Sequence, residues 1–347
     1  MGGVEVVVGH LADELHRRQH HVTVYAQKRR GATFPIQHDY PVRRFDDWTG
    51  THRFPVAPGL GRALWHERKE IDVIHAHSFH AAPAIMAATV PQVPLVFTPH
   101  FHAVGHTAAA SLLHLFYDPL ATLLFRRASR ITCVSVAESE LLVERYPFVE
   151  ARVSVVSLGV DTRAIAAAEP FEVERPVILA AGRLETYKRI DLAVRALAVM
   201  RTDAQLVVCG GGPAQPGLER LAGELGLEDR VQFPGTVSSE DLQRWQRTAT
   251  SAVSLSEREA FGLVLLEAMV AGSRAVASNI PAHVELARRL ESTDRDIALL
   301  APDVTAVAAE LDRQMEMGRM EPAPDPRLDW SAVGERFETI YRAVSSA

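Results

Sequence analysis

The chain runs twice through one pattern: a short β-branched or apolar run, then a longer stretch with helical spacing. In the first half the strand candidates are His21–Ala26, Asp72–His75, Leu95–Thr98, Arg130–Ser135 and Val153–Val156. In the second half they are Val177–Ala181, Gln205–Cys209, Val231–Phe233, Thr250–Leu255 and Arg274–Ala277. Helical stretches such as Leu11–Arg18, Leu184–Met200 and Pro216–Leu225 lie between them. Strands apolar on both faces, alternating with helices, require parallel sheets covered on both sides. Two rounds of this in 347 residues predict two α/β domains. Ala164–Arg175 reads as the linker and Pro322–Pro326 as a second break, after which Trp330–Val344 returns to helix. The expected division is 1–165, 166–326 and a helix in 327–347 that packs back on the first domain.

Hydrophobic residues make up 47% of the chain, enough for two cores and too many for disorder. Cys133 and Cys209 lie inside apolar runs and read as small buried residues of a reducing compartment. The start, Met1-Gly2-Gly3-Val4-Glu5, lacks the basic and apolar segments of a signal peptide. The longest apolar stretch, Leu112–Phe125, is broken by His114, Asp118 and Pro119 and is too short to cross a bilayer. A soluble, cytoplasmic protein is expected. Residues 1–165 carry 17 Lys and Arg against 15 Asp and Glu, while the remainder carries 20 against 28. That asymmetry is open to two readings: solvated faces, or halves that meet different partners. With no strongly basic stripe and no interleaved aromatics, nucleic acid is not an expected partner. Gly2-Gly3-Val4-Glu5 leads directly into a helical pattern, so the first strand, central in a doubly wound sheet, is expected to be absent from this sequence: the chain is truncated, its start was set too late, or the sheet closes in an unusual way.

Three segments carry chemistry. Ser254–Met269 places a strand end, a polar turn at Phe261-Gly262 and a helix, with Glu259 and Glu267 eight positions apart. If helical throughout, that separation spans about 12 Å, close to the reach from a ribose to the sugar of a nucleotide sugar. The N–H groups of Gly262, Leu263 and Val264 would open the helix, a setting suited to a diphosphate. Gly182–Lys188 follows an apolar strand, and its Arg183 and Lys188 can clamp two phosphates or lie on a solvated loop. Gly210-Gly211-Gly212-Pro213 follows another strand and reads either as a close approach for a ligand or as a tight turn.

Together these residues resemble glycosyltransferase family 4, the retaining glycosyltransferases of the GT-B fold. Asp72–His77, Thr98-Pro-His100, Val155–Asp161 and Val231–Gly235 support the likeness, which covers most of the chain. The resemblance implies two Rossmann-like domains facing across a cleft. It implies transfer of a sugar from a UDP- or GDP-sugar to the hydroxyl of a small molecule, a glycan or a lipid-linked glycan, with retention. No metal and no cofactor are expected. By the same resemblance, Arg183, Lys188, Gly2, Gly3, Gly262 and Leu263 bind the donor diphosphate. Glu259 contacts the transferred sugar, His100 faces the reacting sugar and Glu267 binds the ribose.

This sequence departs from the family pattern at several points. Ser157-Leu158 stands where Pro-Asn is common, Gly272 is followed by Ser273 instead of Pro, and Ile280–Glu285 lacks the usual Gly before Pro-Glu. His100 and His102 both follow an apolar strand, and His100 is the preferred candidate for a hydrogen bond to substrate. His75, His77 and His80 lack the companions of a zinc site. Asp294-Arg-Asp296 has the spacing of a metal-binding pair but reads as a surface loop. Ala108–Arg127, followed by Arg130, is either a buried helix pair or a surface that touches the inner membrane face. A sugar-nucleotide epimerase and a non-catalytic nucleotide-sugar-binding protein remain as alternatives.

Overall fold

The computed structural model describes residues 3–28, 38–48, 56–79, 81–101, 119–290, 295 and 297–346. Gly2, His80, His102, Asp294, Asp296 and the first part of the Ala108–Arg127 stretch lie outside these. The chain divides into two compact units, Met1–Ser157 with Trp330–Ala347, and Leu158–Asp329.

Unit 1 begins with α1 (Gly3–Arg17), β1 (Val24–Lys28), β2 (Val42–Asp46), α2 (Pro58–Glu67), β3 (Ile74–His77), α3 (Ala82–Ala88) and β4 (Leu95–Thr98). It continues with α4 (119–127), β5 (Arg130–Cys133), α5 (Val136–Arg145) and β6 (Val153–Val155). All its strand pairs are parallel, but they form two separate sheets, β1-β2 and β3-β4-β5-β6. Among the described residues no strand joins the two. Leu95, Phe97, Ile131, Leu124 and Phe125 fill the core of the larger sheet.

Unit 2 contains α6 (Thr162–Ala167), β7 (Val177–Ala181), α7 (Ile190–Val199), β8 (Gln205–Cys209), α8 (Gln215–Glu224) and β9 (Val231–Gly235). It goes on with α9 (Ser239–Thr248), β10 (Ser251–Ser254), α10 (Leu263–Val270), β11 (Arg274–Ser278), α11 (Pro281–Leu290), β12 (Ile297–Leu300) and α12 (Val304–Met317). Its six strands are all parallel, in the order β12-β11-β10-β7-β8-β9. Both faces are covered. Ile178, Leu206, Val208 and Val276 pack on one side with α7 and α12, and Val177, Leu179 and Val207 on the other with Ala249 and Trp245. That double burial is why these strands read as unbroken apolar runs.

The last helix, α13 (Trp330–Ser345), belongs to unit 1 and packs on α1. Glu14, 2% exposed, bonds Arg17 and Arg18, and Arg18 reaches across to Glu338 at 3.2 Å and the Ser331 carbonyl at 2.8 Å.

Several boundaries differ from expectation. The helix expected over Leu184–Met200 starts only at Ile190, because Leu184 is tied to the neighbouring loop: its N–H donates to Gly211 and its carbonyl accepts from Ala214. Arg189 takes a left-handed φ of 51° before the helix can begin. Two strands carry no alternation that marks them: β2 (Val-Arg-Arg-Phe-Asp) has charged residues at three of its five positions, and β12 is four residues of unbroken apolar character. The linker expected over Ala164–Arg175 begins as helix, since α6 packs on α9 and α10.

Candidate active site

In a parallel sheet, ligands bind beyond the carboxyl ends of the strands where the chain order reverses. In unit 2 that reversal falls between β7 and β10: β7 is followed outward by β8 and β9, and β10 by β11 and β12. The loop after β7 carries Arg183 and Lys188, and the loop after β10 carries Glu259 and Gly262. Paired strands therefore bring together two segments about seventy residues apart in sequence, Ser251 opposite Ile178 and Ala252 opposite Leu179.

Glycines build the first loop. Gly182 and Gly210 have φ of 135° and 129°, and their loops run side by side. The Gly182 N–H donates to Cys209, Leu184 N–H to Gly211, and Gly210 N–H to Gly235. A Cβ on Gly210 would lie 1.9 Å from the Gly182 carbonyl oxygen, and one on Gly212 2.4 Å from that of Leu184. The glycine run thus packs one loop backbone on another, the tight-turn reading of the sequence. A short 3-10 turn, Thr186–Lys188, ends this loop. The Glu257 N–H donates to the Tyr187 carbonyl at 2.9 Å, which ties the turn to the β10 loop.

The two loops meet in an ion pair between Lys188 Nζ and Glu259 Oε1, with both side chains about one-fifth exposed. Ser256 Oγ donates to the same Glu259 oxygen at 2.9 Å. Arg183 stands apart: its guanidinium bonds Glu185 at 2.7 Å and its side chain is 64% exposed. Glu259 precedes α10, so the eight-residue step to Glu267 is half turn and half helix, not the continuous helix the spacing suggested. Gly262 caps α10 with φ of 94°, a conformation that strongly favours glycine. The first-turn N–H groups of α10, beginning at Leu263, are therefore free of a side-chain cap.

His283 lies beneath this turn, fully buried. Its Nδ1 hydrogen-bonds the Ser278 carbonyl at 2.9 Å, so Nδ1 carries the proton and Nε2, 3.4 Å from Ser254 Oγ, accepts. Burial lowers its pKa and keeps the ring neutral. Glu267, on α10, accepts a hydrogen bond from Gln246 Nε2 at 2.9 Å, and burial pushes its carboxyl up to about 7. Neither His283 nor Gln246 was legible in the sequence: each owes its place to packing between elements distant along the chain.

In unit 1, His100 follows β4 with φ of 47°, a left-handed conformation that is strained for this residue. Its Nε2 lies 3.3 Å from His77 Nδ1, and the two rings stack 5.5 Å apart. His75 uses both ring nitrogens, on Tyr341 Oη and Thr98 Oγ1, each at 2.7 Å. Burial drives His75 down to about 3 and His77 well below its usual value, so both are neutral. Gly3 opens α1, and a Cβ there would meet nothing within 4 Å. Among the described residues no group of His, Cys, Asp and Glu is placed to hold a metal ion.

Solved structures share this architecture. Sucrose-phosphate synthase from Thermosynechococcus elongatus aligns with TM-score 0.81 at 21% identity, covering 99% of this chain and 94% of that one. Anabaena HepE, solved in complex with UDP-glucose, aligns at 0.77 and 18% identity, over 99% of this chain and 96% of that one. The fold is thus that of the GT-B class. Residues 1–164 match Glycosyltransferase Family 4 and residues 161–324 match Glycosyl transferases group 1. A D-inositol 3-phosphate glycosyltransferase from Mycolicibacterium paratuberculosis is 30% identical over 80% of this chain and 70% of its own length. A GDP-mannose:cellobiosyl-diphosphopolyprenol alpha-mannosyltransferase from Xanthomonas oryzae is 29% identical over 87% and 80%. The chain belongs to glycosyltransferase family 4.

Proposed function

We propose that this enzyme moves a sugar from a nucleotide-diphosphate sugar to an acceptor hydroxyl, with retention at the anomeric carbon and without a metal. The observation that carries the reading is the Lys188–Glu259 pair at the switch point, beside the uncapped start of α10. A diphosphate needs a cation and N–H donors, and a sugar needs a hydroxyl-accepting carboxylate. All three stand here within one pair of loops. In the free protein Lys188 and Glu259 neutralise each other. An arriving donor would draw the ammonium onto its phosphate oxygens and free Glu259 for the sugar. The cation then meets the charge that grows on the leaving diphosphate as the glycosidic bond breaks. Arg183, on an exposed side chain, would swing from Glu185 to the same phosphates.

Relatives support the donor class, since one is named for GDP-mannose and a structural neighbour was solved with UDP-glucose. They leave the acceptor open between a small molecule and a lipid-linked glycan. A contact of unit 1 with the inner membrane face fits Leu120, Leu123 and Phe148, all exposed, with the Arg126 guanidinium 5.6 Å from the Phe148 ring. Among the described residues no helix is long and apolar enough to cross a membrane.

The test is transfer from labelled UDP-glucose and GDP-mannose to an acceptor panel that includes lipid-linked sugars in anionic vesicles. One donor should be turned over, with the product's anomeric signal unchanged in NMR and EDTA without effect. Lys188→Ala and Glu259→Gln should each lower transfer about 100-fold or more while keeping the thermal midpoint. A folded Lys188→Ala variant with full activity would remove the proposed role of the ion pair. Conversion of the donor without acceptor would instead favour an epimerase, and nucleotide binding without any turnover a binding protein.

A further inference from the structure

Gln246 presents a physical puzzle. It sits on α9, is 1% exposed, and donates from Nε2 to Glu267 Oε2 at 2.9 Å. Its own side-chain oxygen is buried and has no partner among the described residues. Its backbone is held as well, since Ser273 Oγ donates to its carbonyl at 2.9 Å. A buried acceptor left unpaired is costly, and an apolar side chain of like volume would avoid that cost. The arrangement is accounted for if the N–H end of the amide has a task on the carboxylate. Among the described residues, Gln246 is the one hydrogen-bond partner of the Glu267 side chain.

We propose that Gln246 is a positioning residue for donor binding: it holds Oε2 of Glu267 and leaves Oε1 as the acceptor for the vicinal hydroxyls of the donor's ribose. This deepens the reading of Glu267 as the ribose-binding group and rests on it. A carboxylate held by one oxygen loses its freedom to rotate away, so its second oxygen meets the ligand already oriented.

The same contact governs the charge. Burial raises the Glu267 carboxyl to about 7 and the Gln246 N–H pulls it down. The elements packed on α10 bring charged groups that are engaged elsewhere. On α9, Arg244 donates to the Glu169 carbonyl and Arg247 to those of Ala168 and Ala271; on β11, Arg274 donates to Gly318. Arg163 on α6, Glu240 and Asp241 at the start of α9, Arg295, which donates to the Met269 carbonyl of α10, and Arg319, which donates to the Ala271 carbonyl at 2.8 Å, belong with them, and none of these shifts the Glu267 carboxyl. The neutral acid is the form the fold favours below about 7, and the carboxylate, the better hydroxyl acceptor, prevails above it. Ribose recognition should therefore strengthen as pH rises through that value. Removing the Gln246 N–H should move the rise to higher pH.

The experiment is calorimetric titration of UDP and GDP, and of their 2′,3′-dideoxy counterparts, into the full chain from about pH 6 to 8.5. The wild type should prefer the ribose form by about tenfold or more, increasingly so above neutral pH, and Glu267→Ala should lose the preference. Gln246→Met, which keeps the volume, should hold its melting temperature while the preference shrinks and its midpoint moves up by about half a unit or more. Gln246→Glu, closer still in shape, should move it further, because two carboxyls would share the site. It also carries the test if the Met variant does not fold. A Gln246→Met protein with the wild-type preference and pH profile overturns the positioning role and leaves the Glu267 reading standing. A wild type that binds neither nucleotide, or does not distinguish ribose from dideoxyribose, overturns that reading and this proposal with it.

Discussion

At Gly262 one residue answers two demands. The backbone must turn with φ of 94° to start α10, and the turn must lie against the buried His283 ring. A Cβ there would be 3.3 Å from His283 Cδ2 and 3.4 Å from Leu286 Cδ2. Gly262→Ala should therefore lose about 1–3 kcal/mol in urea unfolding, and it should weaken nucleotide binding because the α10 start shifts. A variant as stable as the wild type would show that the turn relaxes freely. The glycine itself was readable in the sequence beside Phe261, and so was its position between two glutamates. What it leans on was not: only the packing of α11 places the His283 ring under the turn.

At the scale of elements, α1 and α13 show how a contact remote in sequence fixes a terminus. Gly334 lets the two helices close: a Cβ at that point would lie 2.6 Å from Glu14 Cγ and 2.9 Å from Arg18 Nε. Glu14 is buried and Arg18 half-buried at this contact, so the neighbour cannot give way without disturbing the Glu14–Arg18 pair. Gly334→Ala should cost about 1–3 kcal/mol, seen as a lower urea midpoint for unit 1. Nucleotide binding by unit 2 should persist, and its loss would show that the cost is not confined to unit 1. The periodicity of Trp330–Val344 made the helix legible, but which surface it covers depends on residues more than three hundred positions away.

For the whole molecule, the division into two units leads to a separate expectation. Proposed donor groups in unit 2 make its fold the one that nucleotide stabilises. UDP or GDP at a hundred times its dissociation constant should stabilise that unit by about 2.7 kcal/mol. Hydrogen exchange should read this as protection of amides in β7, β10 and α10, with β3 to β6 little changed. Protection confined to unit 1 would relocate the donor.

The sequence by itself determined the strand-and-helix alternation, hence two parallel α/β units, and it exposed the glutamate box and the Arg183–Lys188 loop. It could do so because burial on both faces leaves apolar runs, and because turns that need glycine leave glycine. The strand order decided the rest. Only when β7 and β10 lie side by side does Lys188 find Glu259, and only when α9 packs on α10 does Gln246 find Glu267. Such pairings are made by packing between distant segments, which local spacing does not encode.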